Sequence, residues 1–578
     1  MVRDWDPASW ELDLVAGGEP ASLPGPAKRA ATLGRLADER LDLLVVGGGF
    51  VGAGALLDAA RRGLRAGLVE QEDIASGTSS RSSRLIHGGL RYLEQLRFGL
   101  VAEALGERSR LLRLAPHLVT LQPFLFPVYG IPLVHQAFYG AGIFLYDLLG
   151  ARRDGGFARH LRPSTALEFA PQLRRRGLNG AILYHDAVED DARLALAVIR
   201  TAIRLDALAV TRVRATAPLF DGERIIGAHV VDRLTGNEFD VMADRVIDAT
   251  GVWAARPETR FAEVHAEERF VPSRGSHLLI RHDRLKSEVG LTLRTRGRVV
   301  FVIPWPGHWI IGTTDHPDSR PPEGLSAPGE DVDELLDVVN RRLDIDLSRG
   351  DIVGTYAGMR PLVGDPGRSS VKTSREHHVS GEAGGLVRIS GGKYTTYRVM
   401  ARDVVDAALG RRAAKRRPSR TKELPLVGAA PRSELDQIAD SLVQPLRDAA
   451  AARGETRAPW PPRVARRLAD RHGRQAVDVM ALASELDLAA PLGLGIDHLE
   501  AEVAWAARHE LALSVDDVLA RRMRLAQELP DRAASLAPRV AELLGDELGW
   551  DAHRQDREVA AYRSTARREY AVPRSRLE

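Results

Sequence analysis

The chain has no cysteine in its 578 residues. Disulfides, thiolate nucleophiles and zinc–thiolate sites are therefore excluded. A long hydrophobic run is also missing. The most apolar region, residues 121–150 (LQPFLFPVYGIPLVHQAFYGAGIFLYDLLG), is broken by Pro123, Pro127 and Pro132 and interrupted by His135, Gln136 and Asp147. No stretch of about 18 uninterrupted apolar residues is available to cross a bilayer, so this region is expected to form buried loop and helix, with a face resting on a membrane as the alternative. Charge of one sign is not in excess either. Lys+Arg 81 against Asp+Glu 78 gives +3, which carries no nucleic-acid signature. His509 and the other late histidines lack ligand spacing, and DHPD at Asp315–Asp318 reads as a turn, so no metal site is expected. The first twenty residues, MVRDWDPASWELDLVAGGEP, carry acids where an export signal needs a basic start, so a cytoplasmic chain is expected.

What remains is ordinary globular material, 44% hydrophobic and 28% charged. At roughly 100–200 residues per domain, the length suits three or four domains or two large ones. Residues 1–40, rich in Gly, Pro and Ala, read as an irregular N-terminal extension. LDLLVVGGG then begins with an apolar run bounded by glycines, as in a buried parallel strand. FVGAGALLDAARRG has helical spacing, and LRAGLVEQED is a second strand. Later strands are RIIGAHVVD, ADRVIDATG, GRVVFVIPW, HWIIGTTD and GLVRISGGK. TTYRVMARDVVDAALG reads as a helix ending at Gly410. Asp190 and Asp191 in VEDDARL read as helix N-caps rather than catalytic carboxylates. The basic run RRAAKRRPSRTKELP reads as a solvated linker, with a weak contact to an anionic membrane as the alternative. Beyond about residue 430 the pattern is nearly all helical, and no fixed-period repeat is present.

VVGGGFVGAG carries G-x-G-x-x-G at Gly47, Gly49 and Gly52, between a strand and a helix. The first glycine suits a tight turn, the second a close approach by pyrophosphate, and the third close helix–strand packing. Glu70 ends the next strand, where its carboxylate suits a ribose diol and would repel a 2′-phosphate. FAD or NAD fits these residues and NADP does not. Two further glycine turns, DATG at Asp248–Gly251 and GGKYTT at Gly391–Thr396, are spread over the chain. Such an arrangement suggests a long cofactor wrapped by discontinuous segments.

One stretch stands out: TSSRSSRLIHGGLRYL, Thr78–Leu93, crowded with hydroxyls, arginines and glycines. It is either a basic surface loop or a clamp around something anionic. This stretch, with the preceding VVGGGFVGAGALLDAARRGLRAGLVEQEDIASG and with VVFVIPW, IIGTTD, YAGMRPL and ISGGKYTTYR, resembles the FAD-dependent glycerol-3-phosphate dehydrogenases, within the D-amino-acid-oxidase-like flavoproteins. EAEVAWAARHELALSVDDVLARRMRLA resembles that family's C-terminal helical domain, so the similarity covers roughly residues 40–530. Two departures from the family pattern are Arg84 and Arg274, where lysines are common. Charge is kept, but hydrogen-bond geometry changes.

The resemblance implies an α/β fold: a Rossmann-like FAD-binding domain, an antiparallel-sheet substrate domain and an all-α C-terminal domain. The expected division is 1–40 extension; 41–120, 186–255 and 350–410 FAD-binding; 121–185 and 256–349 substrate cap; 411–429 basic linker; 430–555 helical domain; 556–578 tail. The implied reaction is oxidation of sn-glycerol 3-phosphate to dihydroxyacetone phosphate, with FAD taking the hydride and a membrane quinone the electrons. The implied location is peripheral, at the cytoplasmic face of the inner membrane, and a homodimer is compatible with it. An oxidase passing electrons to O2 and giving H2O2 is the alternative. A catalytically silent docking protein and an amino-acid flavoenzyme are weaker ones.

For the site, the resemblance implies flavin contacts from Thr78, Ser79, Ser80, Ser83, His87, Gly88 and Gly89. Ala249, Thr250, Gly251, Gly392, Lys393, Thr395 and Thr396 are expected to complete the cofactor cradle. A phosphorylated substrate carries roughly −1.5 to −2 charge and calls for at least two cations. Arg91, Arg360 and Lys393 are expected to supply them, with Tyr92 as a neutral donor. Removing a hydride from carbon-2 also requires a proton acceptor for its hydroxyl. His87 and His277 are the candidates, His87 preferred, with Arg360 as the alternative stabiliser of a developing alkoxide.

Overall fold

The structure is a computed structural model of the chain. It describes residues 25–89, 97–130, 158–254, 261, 270–295, 298–362, 377–381, 385–455 and 458–574.

The strand Leu43–Val46 is buried at all four positions. Its side chains alternate between two cores: Leu43 and Val45 meet one, Leu44 and Val46 the other. That is why the run is apolar throughout, as in any strand covered on both faces. It sits inside a six-stranded sheet, between Ala66–Glu70 and Val246–Asp248, with Leu386–Gly391 beyond the latter. All these pairings are parallel, and His377–Ser380 adds an antiparallel edge. The helices Phe50–Arg61, Asp191–Arg204 and Tyr397–Arg416 fill the first core. The second core lies beneath a three-stranded sheet (Val213–Asp221, Arg224–Asp232, Glu238–Met242) and the helix Gly25–Asp38.

A ten-stranded, mostly antiparallel sheet forms the other half. Its centre is Ser273–Arg281, paired with Ile352–Arg360 on one side and His308–Gly312 on the other. Strand alternation divides its side chains between two cores. Leu278, Ile280, Val300, Val302, Trp309 and Ile311 face the helix Gly329–Arg342. Leu279, Ile303, Ile310 and Tyr356 share the opposite core with the C-terminal helices Ala501–His509, Ala537–Leu548 and Ala552–Glu569.

The structure departs from the sequence expectations in several places. Residues 25–38 form a helix rather than irregular chain. Its fully buried Leu36 and its Arg29, bonded to both carboxylate oxygens of Asp232, dock it on the sheet. Residues 119–129 are a strand, not loop and helix. Pro123 and Pro127 are tolerated because the second neighbouring strand pairs only at Phe124 and Leu125. Residues 131–157 lie outside the described residues.

The basic run is solvated as read, with Arg411, Arg412, Lys415, Arg416, Arg417 and Arg420 exposed, but it extends a helix rather than forming a linker, and the segment after it is packed. The chain kinks at Gly410 (φ 76°), continues as helix to Arg416, and then buries Leu424, Leu426, Val427 and Ala429. The helix Ala552–Glu569 occupies most of the expected tail, with Tyr562, Ala566 and Tyr570 buried. The strand Ile352–Arg360 belongs to the antiparallel sheet, beyond the expected limit at 349. In DHPD, His316–Pro317 form a short strand against Ser273–Arg274. Among the described residues, no helix is long and apolar enough to cross a membrane.

Candidate active site

Four parallel strands end side by side at one edge of the six-stranded sheet, and each end carries an expected cofactor residue. Gly47 follows the first, with φ at 109°; a Cβ there would crowd the Ala249 carbonyl. A Cβ at Gly52 would collide with the Gly47 carbonyl, so the helix Phe50–Arg61 can start this close to the loop only with glycine there. Gly49 is the N-cap of that helix and offers no side chain. Ser79 Oγ substitutes by accepting from the Phe50 N–H at 3.0 Å. Glu70 ends the second strand, its Oε2 accepting from Gly48 N–H at 2.6 Å and its Oε1 from Glu72 N–H at 2.8 Å. Burial pushes its carboxyl up to about 7 against those two bonds.

The third end is the turn at Asp248–Gly251. Asp248, fully buried, accepts from Arg388 Nε at 2.8 Å and, through its other oxygen, from Thr250 N–H and Oγ. Arg388 stands directly opposite Asp248 in the neighbouring strand. The fourth end is Gly391–Thr396, where Gly391 and Gly392 take positive φ and Thr395 and Thr396 are buried. Lys393 opens this turn, its carbonyl accepting from Thr396 Oγ1 at 3.2 Å. Tyr394 stacks on Phe50 at 5.2 Å and donates to the Leu85 carbonyl, tying the turn to the first helix and to the stretch Thr78–Gly89. The half-buried backbone cradle, the buried carboxylate and the aligned glycine turns fit an extended dinucleotide such as FAD.

The opposite wall is the C-terminal-domain face of the antiparallel sheet. Phe301, Gly312, His277 and Tyr356 form a single cross-strand row. The His277 ring stacks on Tyr356 at 4.6 Å, and a Cβ at Gly312 would occupy the ring's space. His277 Nε2 lies 2.8 Å from Ser83 Oγ. His87 meets Phe301 edge-on at 5.9 Å. Arg84, fully buried with φ at 54°, lies over Trp305 at 4.1 Å and over Tyr356 at 5.6 Å. Arg360 reaches Asp315 Oδ1 at 3.3 Å and Thr313 Oγ1 at 3.1 Å across the space left by Gly275. Burial first, then the Arg360 and Arg84 charges, hold the His277 imidazole well below its usual range, hence neutral at pH 7.

The structure thus brings His277, His87, Ser83 and Arg360 onto one face, with Thr78, Ser79, Ser80, Gly88 and Gly89 on the segment that crosses it. Thr78 Oγ1 donates to the Met359 carbonyl at 2.5 Å. Arg91 and Tyr92 lie outside the described residues. Arg274 does not join the site. Alternation turns it to the other face, where it pairs with Asp331 and Asp318. Asp190 is an N-cap, as read, accepting from Arg193 N–H at 3.2 Å. Sequence reasoning missed Tyr356, Arg388, Gly275 and Gly312. Arg388 was detectable as a charge inside the apolar LVRIS, but the others depend on cross-strand register. Among the described residues, no group of three or more His, Asp or Glu is arranged to hold a metal.

Comparison with known proteins agrees with this geometry. A family model described as FAD dependent oxidoreductase matches residues 42–405. Another, described as the C-terminal domain of alpha-glycerophosphate oxidase, matches residues 419–555. The chain is 44% identical over 547 residues to glycerol-3-phosphate dehydrogenase 2 of Mycobacterium tuberculosis, covering 94% of this chain and 91% of that protein. It is 36% identical over 569 residues to the human mitochondrial glycerol-3-phosphate dehydrogenase, covering 94% and 76%. The crystal structure of the Bacillus halodurans glycerol-3-phosphate dehydrogenase complexed with FAD superposes with a TM-score of 0.76 at 25% identity, covering 95% of this chain and 98% of that one.

Proposed function

The chain belongs to the FAD-dependent glycerol-3-phosphate dehydrogenases, and we propose that it passes the electrons taken from glycerol 3-phosphate to a membrane quinone. FAD, when bound, supplies the hydride acceptor; the protein supplies orientation and a path for the proton. The cradle at Gly47–Gly52, Glu70, Ala249–Gly251 and Gly391–Thr396 would hold the cofactor.

The observation that carries the catalytic part is the placement of His277 and Arg360 on one face of one sheet. Arg360 is a guanidinium suited to fork onto phosphate oxygens. His277 is a neutral imidazole, positioned by Ser83, that can take up the hydroxyl proton of carbon-2. Burial depresses His277 most, and a dianionic substrate beside Arg360 would offset the added depression from the Arg360 and Arg84 charges and so raise its basicity. Lys393 and Arg91 would add charge for the phosphate, and His87 would line the pocket through Phe301.

The quinone reading is supported by the relatives, which are named dehydrogenases. The oxidase reading is favoured by the description of the C-terminal family model, alpha-glycerophosphate oxidase. Peripheral attachment to the cytoplasmic face of the inner membrane belongs to the quinone reading. The helix Phe98–Leu114 buries Val101, Leu105 and Leu111 in the protein's own cores, so only the remainder of its surface is available to lipid.

The test is anaerobic. Glycerol 3-phosphate should bleach the flavin band of the purified holoenzyme, while glycerol or an amino acid should not. A soluble quinone should then restore the band faster than oxygen does. Rapid oxygen uptake with H2O2 release would favour the oxidase, and failure to bleach would remove the substrate assignment.

A further inference from the structure

The C-terminal domain reaches the cofactor side through one short strip. Residues Asp517–Arg522 form a π-helical turn, closed by Met523 N–H to the Val518 carbonyl, and Arg524 follows in the left-handed region with φ at 68°. Both conformations are uncommon for such residues and recur at functional sites. Together they turn three arginines toward the flavin-binding half.

Arg521 and Arg522 converge on Asp73, which is completely buried. Arg521 Nε lies 2.5 Å from Oδ2, and Arg522 grips both oxygens at 2.7 and 2.8 Å. Asp73 lies in the loop after Glu70, two residues before Ala75, whose N–H bonds the Gly48 carbonyl. The contact therefore steadies the turn that holds the nucleotide end of the cofactor.

Arg524, also completely buried, acts elsewhere. Its Nε donates to Asp190 at 3.0 Å and its Nη1 to the Ser80 carbonyl at 3.1 Å, while Nη2 pairs with Asp191. Asp191 in turn accepts from Ser82 N–H at 2.9 Å and Ser82 Oγ at 2.7 Å, and Ser82 Oγ accepts from Arg84 N–H at 2.9 Å. These bonds hold the left-handed turn at Arg84. That turn presents Ser83 to His277.

The geometry points to Arg524 as a positioning residue for His277, acting through Asp191 and Ser82, and to the Arg521–Arg522 pair as a separate brace for the nucleotide loop. The C-terminal domain is then part of the catalytic apparatus rather than only a docking module. The link to catalysis rests on the reading of His277 given above.

Two holoenzyme variants separate the braces. Arg524→Met should keep the wild-type FAD-to-protein ratio, shift the visible flavin band, and slow anaerobic bleaching by glycerol 3-phosphate at least about tenfold at saturating substrate, with little change in the concentration that half-saturates it. Arg522→Met should lose FAD on dialysis, and the fraction that retains it should show the wild-type band and bleach at nearly the wild-type rate. If Arg524→Met does not fold, Arg524→Lys and Asp191→Asn carry the same expectation. Equal FAD loss in both variants, or wild-type bleaching in the Arg524 series, would overturn the proposal. If the wild-type protein itself is not bleached by glycerol 3-phosphate, the function assigned above fails. The braces are then judged by FAD retention and band position, which need no substrate.

Discussion

Ser83 Oγ and His277 Nε2 stand 2.8 Å apart although 194 residues separate them in the chain. The hydroxyl fixes which way the imidazole presents its second nitrogen, and that defines the job of each. His277→Gln should slow flavin reduction by roughly 10²–10⁴-fold, the usual share of a general base. Ser83→Ala should slow it less, because the stack on Tyr356 still holds the ring plane. Anaerobic stopped-flow at the flavin band measures both, and a His277→Gln enzyme reducing at the wild-type rate would remove the histidine from the chemistry.

The two glycines beneath His277 and Arg360 should separate kcat from KM. A methyl at position 312 would enter the space of the His277 ring, whereas one at 275 would displace the Arg360 guanidinium. Gly312→Ala is expected to lower kcat about tenfold or more. Gly275→Ala is expected mainly to raise KM, since the phosphate contact is binding made equally in ground and transition states. Steady-state kinetics with glycerol 3-phosphate decides, and a reversed pattern would exchange the roles of the two groups.

FAD affinity should depend on pH through Glu70. Burial holds its carboxyl up at about 7, above the usual 4.5. In the apo protein the stability tied to the neutral acid is present below 4.5 and is lost as pH rises through about 7. Ribose hydroxyls donating to the carboxylate would favour its charged form, so FAD should bind more tightly as pH rises through about 7 and level off above it. Glu70→Gln should flatten that dependence. Titration of apoprotein with FAD between pH 6 and 8, followed by flavin fluorescence, would show no slope if Glu70 does not face the ribose.

Arg388→Met should unfasten the turn at Asp248–Gly251. Both partners of this pair are almost entirely buried, and removing one leaves an uncompensated charge, typically at a cost of about 3–5 kcal/mol. The expected result is a lower melting temperature together with weaker FAD retention. The double variant Arg388→Met with Asp248→Asn should recover part of the stability. A single variant as stable as wild type would show that the pair is dispensable.

What was legible in the sequence and what was not follows from how far each feature reaches. The turn at Gly47–Gly52 and the strand ending at Glu70 could be read directly, because strand, turn and helix are neighbours in the chain. The apolar run Leu43–Val46 betrayed a strand covered on both sides for the same reason. The row Phe301–Gly312–His277–Tyr356 could not be read, since it depends on register among four strands. Arg274 and His277 share one motif yet face opposite ways, a consequence of period-2 alternation that the motif does not show. The exposed basic run after Gly410 gave no sign of the packed segment that follows it, where Leu424, Leu426 and Val427 are buried. In the last helix, Tyr562, Ala566 and Tyr570 make a helical stripe too sparse to stand out among eight charged neighbours' worth of polar sequence.

The ion pair between Arg81 and Glu569, 2.6 Å long and nearly buried, joins the stretch Thr78–Gly89 to the helix Ala552–Glu569, 488 residues further along the chain. Ribosomes make chains from the N-terminus onward, so Glu569 emerges long after Arg81. Arg81 must therefore wait for its anchor until residue 569 has been made, and a nascent chain halted near residue 555 would already have the glycine turns at Gly47, Gly251 and Gly391 yet lack that anchor.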